Sequence, residues 1–184
     1  MALILLRHTR PHGADGLCYG RTDLPLAGDF TTEAARLASD LPPFQRILTS
    51  PLGRCRRLAE SLAAARGRPL AVDARLAEMD FGSWEGVRWD AIARHELDAW
   101  AADLTGARPH GGETVAELAA RSHAALTDAE RGAVPALVVC HAGIIKAALS
   151  AAQGAAGWRA ETDYGSWLRL DSGWNRSVAG HDHD

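Results

Sequence analysis

Short apolar runs alternate with amphipathic stretches along most of the chain. Residues 2–6 are continuously apolar, which suits a strand buried on both faces. A polar stretch rich in Gly and Pro follows over 8–28, too long for a tight connection and of the kind that tends to be functional. Thr31 and Thr32 are placed to cap a helix that runs to Asp40, and Pro42-Pro43 stops it. Residues 46–49 read as a second strand. Ser50 then caps, and Pro51 opens, a helix with Leu58, Leu62 and Ala65 on its inner face and Gly67 at its end. A third short strand is predicted over 70–72, whereas 74–88, rich in Glu, Gly and Trp, has no period and reads as loop. Two short helices fit 89–104. After the break at Gly111-Gly112, Val115, Leu118, Ser122 and Leu126 mark the inner stripe of a longer helix. Residues 136–140 are the clearest buried strand; a helix follows through Ile144, Ile145, Ala148 and Leu149, and 166–170 alternates as a last strand would. Strands alternating with helices predict an α/β protein, a three-layer α/β/α sandwich around a mainly parallel sheet. No repeat or linker divides the chain, so one domain is expected over 1–176, with a polar and disordered tail over 177–184.

Composition narrows the function classes. A chain of 184 residues can bury a full core, and a formal net charge of -3 gives no reason to expect a nucleic-acid partner. The cations are nearly all arginine, the better fork for phosphate oxygens, and Lys146 is the only lysine. Three cysteines at wide spacing (Cys18, Cys55, Cys140) suggest free thiols in a reducing compartment, with Cys18 the more plausible reactive one. The apolar N-terminus is too short for a signal peptide, and no run approaches the roughly 20 residues of a membrane span. A soluble cytoplasmic protein with no membrane partner is expected. The terminal His181-Asp182-His183-Asp184 is a poor preformed metal site, so no metal or cofactor is expected.

Candidate chemistry gathers at strand ends. Arg7-His8-Thr9 follows the first strand, and His141-Ala142-Gly143 follows the fourth. In open α/β sheets ligands bind outside the carboxyl ends of the strands, so two strands deliver a histidine to one edge. Residues 50–56 repeat the pattern, with Arg54 near a helix N-terminus where anions are favoured and Arg56 or Arg57 on the solvated face.

These motifs together, RHT, SPLGRCR, the LAEMDFGSWEG beginning at Leu76 and the CHAGIIKA beginning at Cys140, resemble the histidine phosphatase superfamily of phosphoglycerate mutases and phosphatases. Within it, the loop Gly16-Leu17-Cys18-Tyr19-Gly20-Arg21-Thr22-Asp23-Leu24-Pro25-Leu26 is similar to that of α-ribazole phosphatases of cobalamin biosynthesis. The resemblance implies that His8 is the nucleophile and becomes phosphohistidine. It implies that Arg7 and Arg54 clamp the phosphoryl oxygens, that His141 donates to the transferring group as an imidazolium, and that Glu78 is the proton donor. Glu85 and Asp80 are rivals for that last role in the same loop. Thr9, Arg21 and Ala142 are further candidate substrate contacts, Glu113-Thr114 reads mainly as a helix start, and Lys146 as peripheral.

The short segment between Glu78 and His141 disfavours a cofactor-dependent mutase, and Leu58, where a threonine is common in the family, is a structural change. Trp84, Trp89 and Trp100 are expected to pack in the core or a homodimer contact in preference to stacking on substrate. The implied partner is a small phosphate ester, most simply α-ribazole 5′-phosphate, with phosphate or sulfate fitting the same pocket. The alternatives are a broad sugar-phosphate or nucleotide phosphatase, a mutase, or an inactive phospho-ligand binding module.

Overall fold

The computed structural model describes residues 2–175, so the expected tail lies outside the described residues. Strand β1 (Leu3–Arg7) runs parallel to β4 (Ala136–Cys140), with Leu3 opposite Ala136 and Arg7 opposite Cys140. β4 also pairs in parallel with β2 (Arg46–Thr49), and β2 with β3 (Leu70–Val72). β5 (Trp167–Leu170) closes the other edge antiparallel to β1, giving the order β3-β2-β4-β1-β5. Every residue of the central β4 is buried, which explains its unbroken apolar run. The edge strand β5 exposes Trp167 and Arg169 and buries Leu170, which explains its alternation.

The period-2 alternation of strand side chains divides the core between two faces. Ile4, Leu6, Ile47, Leu137 and Val139 pack beneath α1 (Phe30–Asp40) and α2 (Gly53–Arg66). Leu3, Leu5, Ala136, Val138 and Cys140 meet α4 (Val115–Glu130) and α5 (Ala142–Gln153) on the opposite face. The result is the expected α/β/α sandwich. Leu58, the substituted family position, is wholly buried in the first of these layers. A smaller cluster of Cys18, Trp84 and Ile92, extended by Phe81, Trp89 and Trp100, joins the long first loop to 3-10 turns at Gly82–Trp84 and Trp89–Ala91 and to α3 (Arg94–Ala102).

Two helix starts differ from expectation. α1 begins at Phe30 with no side-chain cap, ahead of Thr31 and Thr32. α2 begins at Gly53, because the Ser50 hydroxyl is taken up by His141 and by the Leu52 N–H. The other boundaries follow local chemistry. Gly67 ends α2 in the left-handed region at φ 61°. Thr114 and Glu117 form a reciprocal capping box at the start of α4. A one-turn helix α6 (Ala155–Trp158) packs against α5 ahead of β5.

Candidate active site

Parallel pairing brings the carboxyl ends of β1, β4 and β2 to one edge. There the His8 N–H donates to the Cys140 carbonyl at 3.0 Å and the Ser50 N–H to the Val139 carbonyl at 3.0 Å. The rings of His8 and His141 stand 5.2 Å apart, edge to face. His8 Nδ1 lies 2.8 Å from the Thr9 carbonyl oxygen. A carbonyl only accepts, so the proton sits on Nδ1 and Nε2 keeps its lone pair. Burial, the Arg54 guanidinium and Arg7 lower the His8 pKa to about 3, against a weaker upward pull from the Thr9 bond.

His141 is fully buried behind this surface. Its Nε2 lies 2.7 Å from the Ser50 hydroxyl, and the Cys55 thiol packs against the ring at 3.4 Å. Burial, then His8, Arg54 and Arg7, push its pKa well below the ordinary histidine range. Burial first, and then the neighbouring cations, favour the neutral ring.

Arg54 is 1% exposed. Its Nη1 donates to the Thr22 carbonyl at 2.8 Å and its Nη2 to the Gly20 carbonyl at 2.6 Å, while Asp23 lies 3.4 Å from Nη1. Arg7 donates Nη1 to the Thr162 carbonyl and lies over the Tyr164 ring, its Cζ 3.8 Å from the centroid. Among the described residues, neither arginine finds a partner for its buried Nε. Orphan buried N–H groups are rare, and two on neighbouring guanidiniums suit an anion. Arg7, His8, Arg54, Glu78, Ala142 and Gly143 line a single cavity of about 530 Å³. The remaining wall is largely apolar, with Leu17, Phe81, Trp89, Trp100, Leu104 and Leu118 prominent.

The structure separates the three acidic candidates. Glu78 is held by the Met79 N–H at 2.9 Å and by the Gly143 N–H, at the start of α5, at 3.1 Å. A β-carbon at Gly143 would collide with Glu78 Oε1, so the close approach requires glycine there. Glu85 instead accepts from the N–H groups of Gly20, Arg21, Thr22 and Phe81 and from the Thr22 hydroxyl, pinning the first loop. Burial draws its pKa up, but the Thr22 hydroxyl and these N–H groups outweigh burial and lower it, leaving a fixed carboxylate. Asp80 closes a turn onto the Gly82 N–H at 2.8 Å. Of the three, Glu78 alone lines the cavity.

Other sequence candidates divide. Thr9 is buried and outside the cavity lining, and its hydroxyl has no partner among the described residues. Arg21 also lies off the cavity wall; its Nε donates to the Glu78 carbonyl at 2.8 Å, and Glu113 stands 4.0 Å away. Glu113 pairs with Arg121 at 2.6 Å, and Arg121 braces the carbonyls of Ala77 and Glu78. Arg56 pairs with Glu60 on the exposed face of α2, as a solvated residue should. Cys18 is buried, and burial with the Glu85 carboxylate pushes its thiol up to about 12, which corrects the expectation of a reactive group. Trp84 is core, while Trp89 and Trp100 both pack together and line the cavity.

Four features escaped the sequence reading. Ser50 looked like a helix cap. Arg121 carries no motif. Tyr19 and Tyr164, 145 positions apart, share a 2.7 Å hydroxyl–hydroxyl bond beside Arg7 and Arg54. Lys146, expected to be peripheral, lines the cavity. Its i+4 spacing from Ala142 was the available signal.

The model of the histidine phosphatase superfamily (branch 1) matches residues 3–178, and the chain belongs to that superfamily. It is 33% identical over 193 residues to the glucosyl-3-phosphoglycerate phosphatase of Mycobacterium tuberculosis strain H37Rv, covering 94% of this chain and 86% of that one. It is 34% identical over 133 residues to the probable phosphoglycerate mutase GpmB of Klebsiella pneumoniae. That match takes in 68% of this chain and 61%, under two thirds, of the relative. The crystal structure of the α-ribazole phosphatase from Shigella flexneri superposes with a TM-score of 0.79 at 27% identity, covering 93% of this chain and 90% of that one. These relatives carry the names of phosphatases and of a probable phosphoglycerate mutase. Among the described residues, no helix is long and apolar enough to cross a membrane.

Proposed function

We propose that this protein is a metal-independent phosphomonoesterase that hydrolyses a small phosphate ester through a phosphohistidine on His8, with α-ribazole 5′-phosphate the leading substrate. One observation carries the reading: a neutral His8, its Nδ1 fixed on the Thr9 carbonyl at 2.8 Å so that Nε2 is the nitrogen left with a lone pair, lines one cavity with Arg7, Arg54 and Glu78.

Attack by Nε2 on phosphorus forms an N–P bond as the ester P–O bond breaks, dividing one slow displacement into two. Arg7 and Arg54 take up the charge on the equatorial oxygens, a task a metal ion performs in other phosphatases. Glu78, in its acid form, protonates the departing alkoxide and then, as carboxylate, deprotonates the water that cleaves the N–P bond. The arriving phosphoryl group brings negative charge beside His141, drawing its pKa back up and favouring donation to the transferring oxygens. Free thiols at all three cysteines support a reducing, cytoplasmic setting.

The similarity to the Shigella flexneri enzyme and the rings of Phe81, Trp89 and Trp100 along the cavity support a planar leaving group. A second reading, a sugar-phosphate phosphatase of broader range, draws on the mycobacterial relative. The test is a phosphate-release screen in EDTA with α-ribazole 5′-phosphate, nucleotides, sugar phosphates, 3-phosphoglycerate and p-nitrophenyl phosphate. The first reading expects the highest kcat/KM on α-ribazole 5′-phosphate, and comparable rates across sugar phosphates would favour the second. Release from none of the esters would remove the hydrolase reading altogether.

A further inference from the structure

Glu78 lies in an irregular segment between the 3-10 turns Ala74–Leu76 and Gly82–Trp84. Its carboxylate rests on two main-chain N–H groups, those of Met79 and Gly143, so its place follows the path of the backbone around it. The fit is close, because a β-carbon at Gly143 would come within 2.2 Å of Glu78 Oε1. That path is held from α4. Arg121 donates Nη1 to the carbonyls of Arg75 and Ala77, at 2.6 and 2.5 Å, and Nη2 to the Glu78 carbonyl at 3.0 Å. Its Nε and Nη2 grip the two carboxylate oxygens of Glu113 at 2.6 and 2.8 Å. These bonds take up every N–H donor of the guanidinium fork. Glu113 is fixed in turn, its N–H donating to the Asp80 carbonyl at 2.9 Å. Arg21, from the first loop, donates Nε to the same Glu78 carbonyl at 2.8 Å. The Arg121 and Glu113 side chains are 18% and 13% exposed, and neither lines the cavity.

We propose that Arg121, oriented by Glu113, is a positioning residue that holds the Glu78 carboxyl in place for proton transfer to the leaving group. The inference goes beyond the phosphatase reading and rests on it for the role of Glu78. As the ester P–O bond breaks, the departing oxygen takes the Glu78 proton and leaves a carboxylate. Arg121 touches neither the ester nor the phosphoryl group; it sets the backbone from which Glu78 reaches them. Its contribution is therefore largest where the leaving oxygen is a strong base, as in an alkyl ester or phenyl phosphate. It is smallest for p-nitrophenyl phosphate, whose phenolate departs without a proton. Arg121→Lys keeps the charge and loses the fork, since one compact ammonium cannot span three carbonyls and both Glu113 oxygens.

The test measures kcat/KM on phenyl and p-nitrophenyl phosphate for wild type, Arg121→Lys, Glu113→Gln, Glu78→Gln and the Arg121→Lys/Glu78→Gln double variant, with inhibition by inorganic phosphate in parallel. Arg121→Lys should lose about tenfold more on phenyl than on p-nitrophenyl phosphate, with the phosphate inhibition constant unchanged, because Arg7 and Arg54 are untouched. Glu113→Gln preserves shape and carries the test if Arg121→Lys fails to fold; it should show the same selectivity at roughly threefold. In the Glu78→Gln background, Arg121→Lys should cost little more on phenyl phosphate, because the two residues act through one group. If Glu78→Gln is selective, equal losses on both esters in Arg121→Lys and Glu113→Gln, or fully additive losses in the double variant, would overturn the positioning role alone. A Glu78→Gln variant without that selectivity would remove the proton-donor reading and the inference with it.

Discussion

Replacing Arg54 by lysine keeps the positive charge and removes the fork. The guanidinium holds the Gly20 and Thr22 carbonyls at 2.6 and 2.8 Å and leaves a buried Nε without a partner among the described residues. An ammonium on a shorter, unbranched stem cannot reproduce that geometry. At least one of the two carbonyls is left buried and unpaired, which destabilises the fold by about 1–3 kcal/mol. For a chain of 184 residues this lowers Tm by roughly 3–10 °C. Loss of one preorganised donor to the transferring phosphoryl group costs a further 3 kcal/mol or so in the barrier, about a hundredfold in kcat. Arg56→Lys, on the exposed face of α2, is the control and should leave both quantities near wild type. The assay is p-nitrophenyl phosphate turnover alongside thermal unfolding. Wild-type activity in Arg54→Lys would refute the clamp. A lost activity with an unmoved Tm would refute the claim that the same side chain anchors the first loop.

Further outcomes follow from the same geometry. His8 and His141 are buried and neutral, so the unfolded chain binds more protons below its ordinary histidine pKa, and stability must fall as pH drops from 6.5 towards about 3, with no contribution above 6.5. At about 1.4 kcal/mol per pH unit, His8 alone accounts for something on the order of 5 kcal/mol across that window, so urea melts of wild type and His8→Phe should converge on acidification; parallel pH curves would contradict it. Gly143→Ala drives a methyl group into the Glu78 carboxylate and should lower kcat at least tenfold while phosphate binding changes little, because Glu78, the proposed proton donor, is displaced and the arginines are untouched. All three thiols are buried, so Ellman's reagent should label none in the native protein and three on denaturation; a single fast-reacting native thiol would contradict the packing of Cys18.

Much of the fold was legible because strand and helix periods are local. The run over 136–140 and the stripe of Val115, Leu118, Ser122 and Leu126 fall in the predicted elements, all of them buried. Helix starts were less legible, since Ser50 can cap a helix or bind a histidine 91 positions away, and tertiary contact decides between them. His8, the arginines and Glu78 follow strand ends and sequence motifs, and the sheet register brings the ends of β1, β2 and β4 to one edge. Tyr164 and Arg121 carry no local pattern, because their meaning lies in partners far along the chain. The downward pull on the His141 pKa was not legible for the same reason. A residue type indicates a role, but the surrounding cations and the burial set its protonation.

The most direct measurement is rapid quenching of the enzyme with a phosphorus-32 ester, followed by peptide mapping under alkaline conditions that preserve phosphoramidates. The account predicts a transient, acid-labile and base-stable label on His8, absent from His8→Ala, in a protein whose unfolding remains cooperative. Label on another residue, or undiminished turnover by His8→Ala, would contradict it.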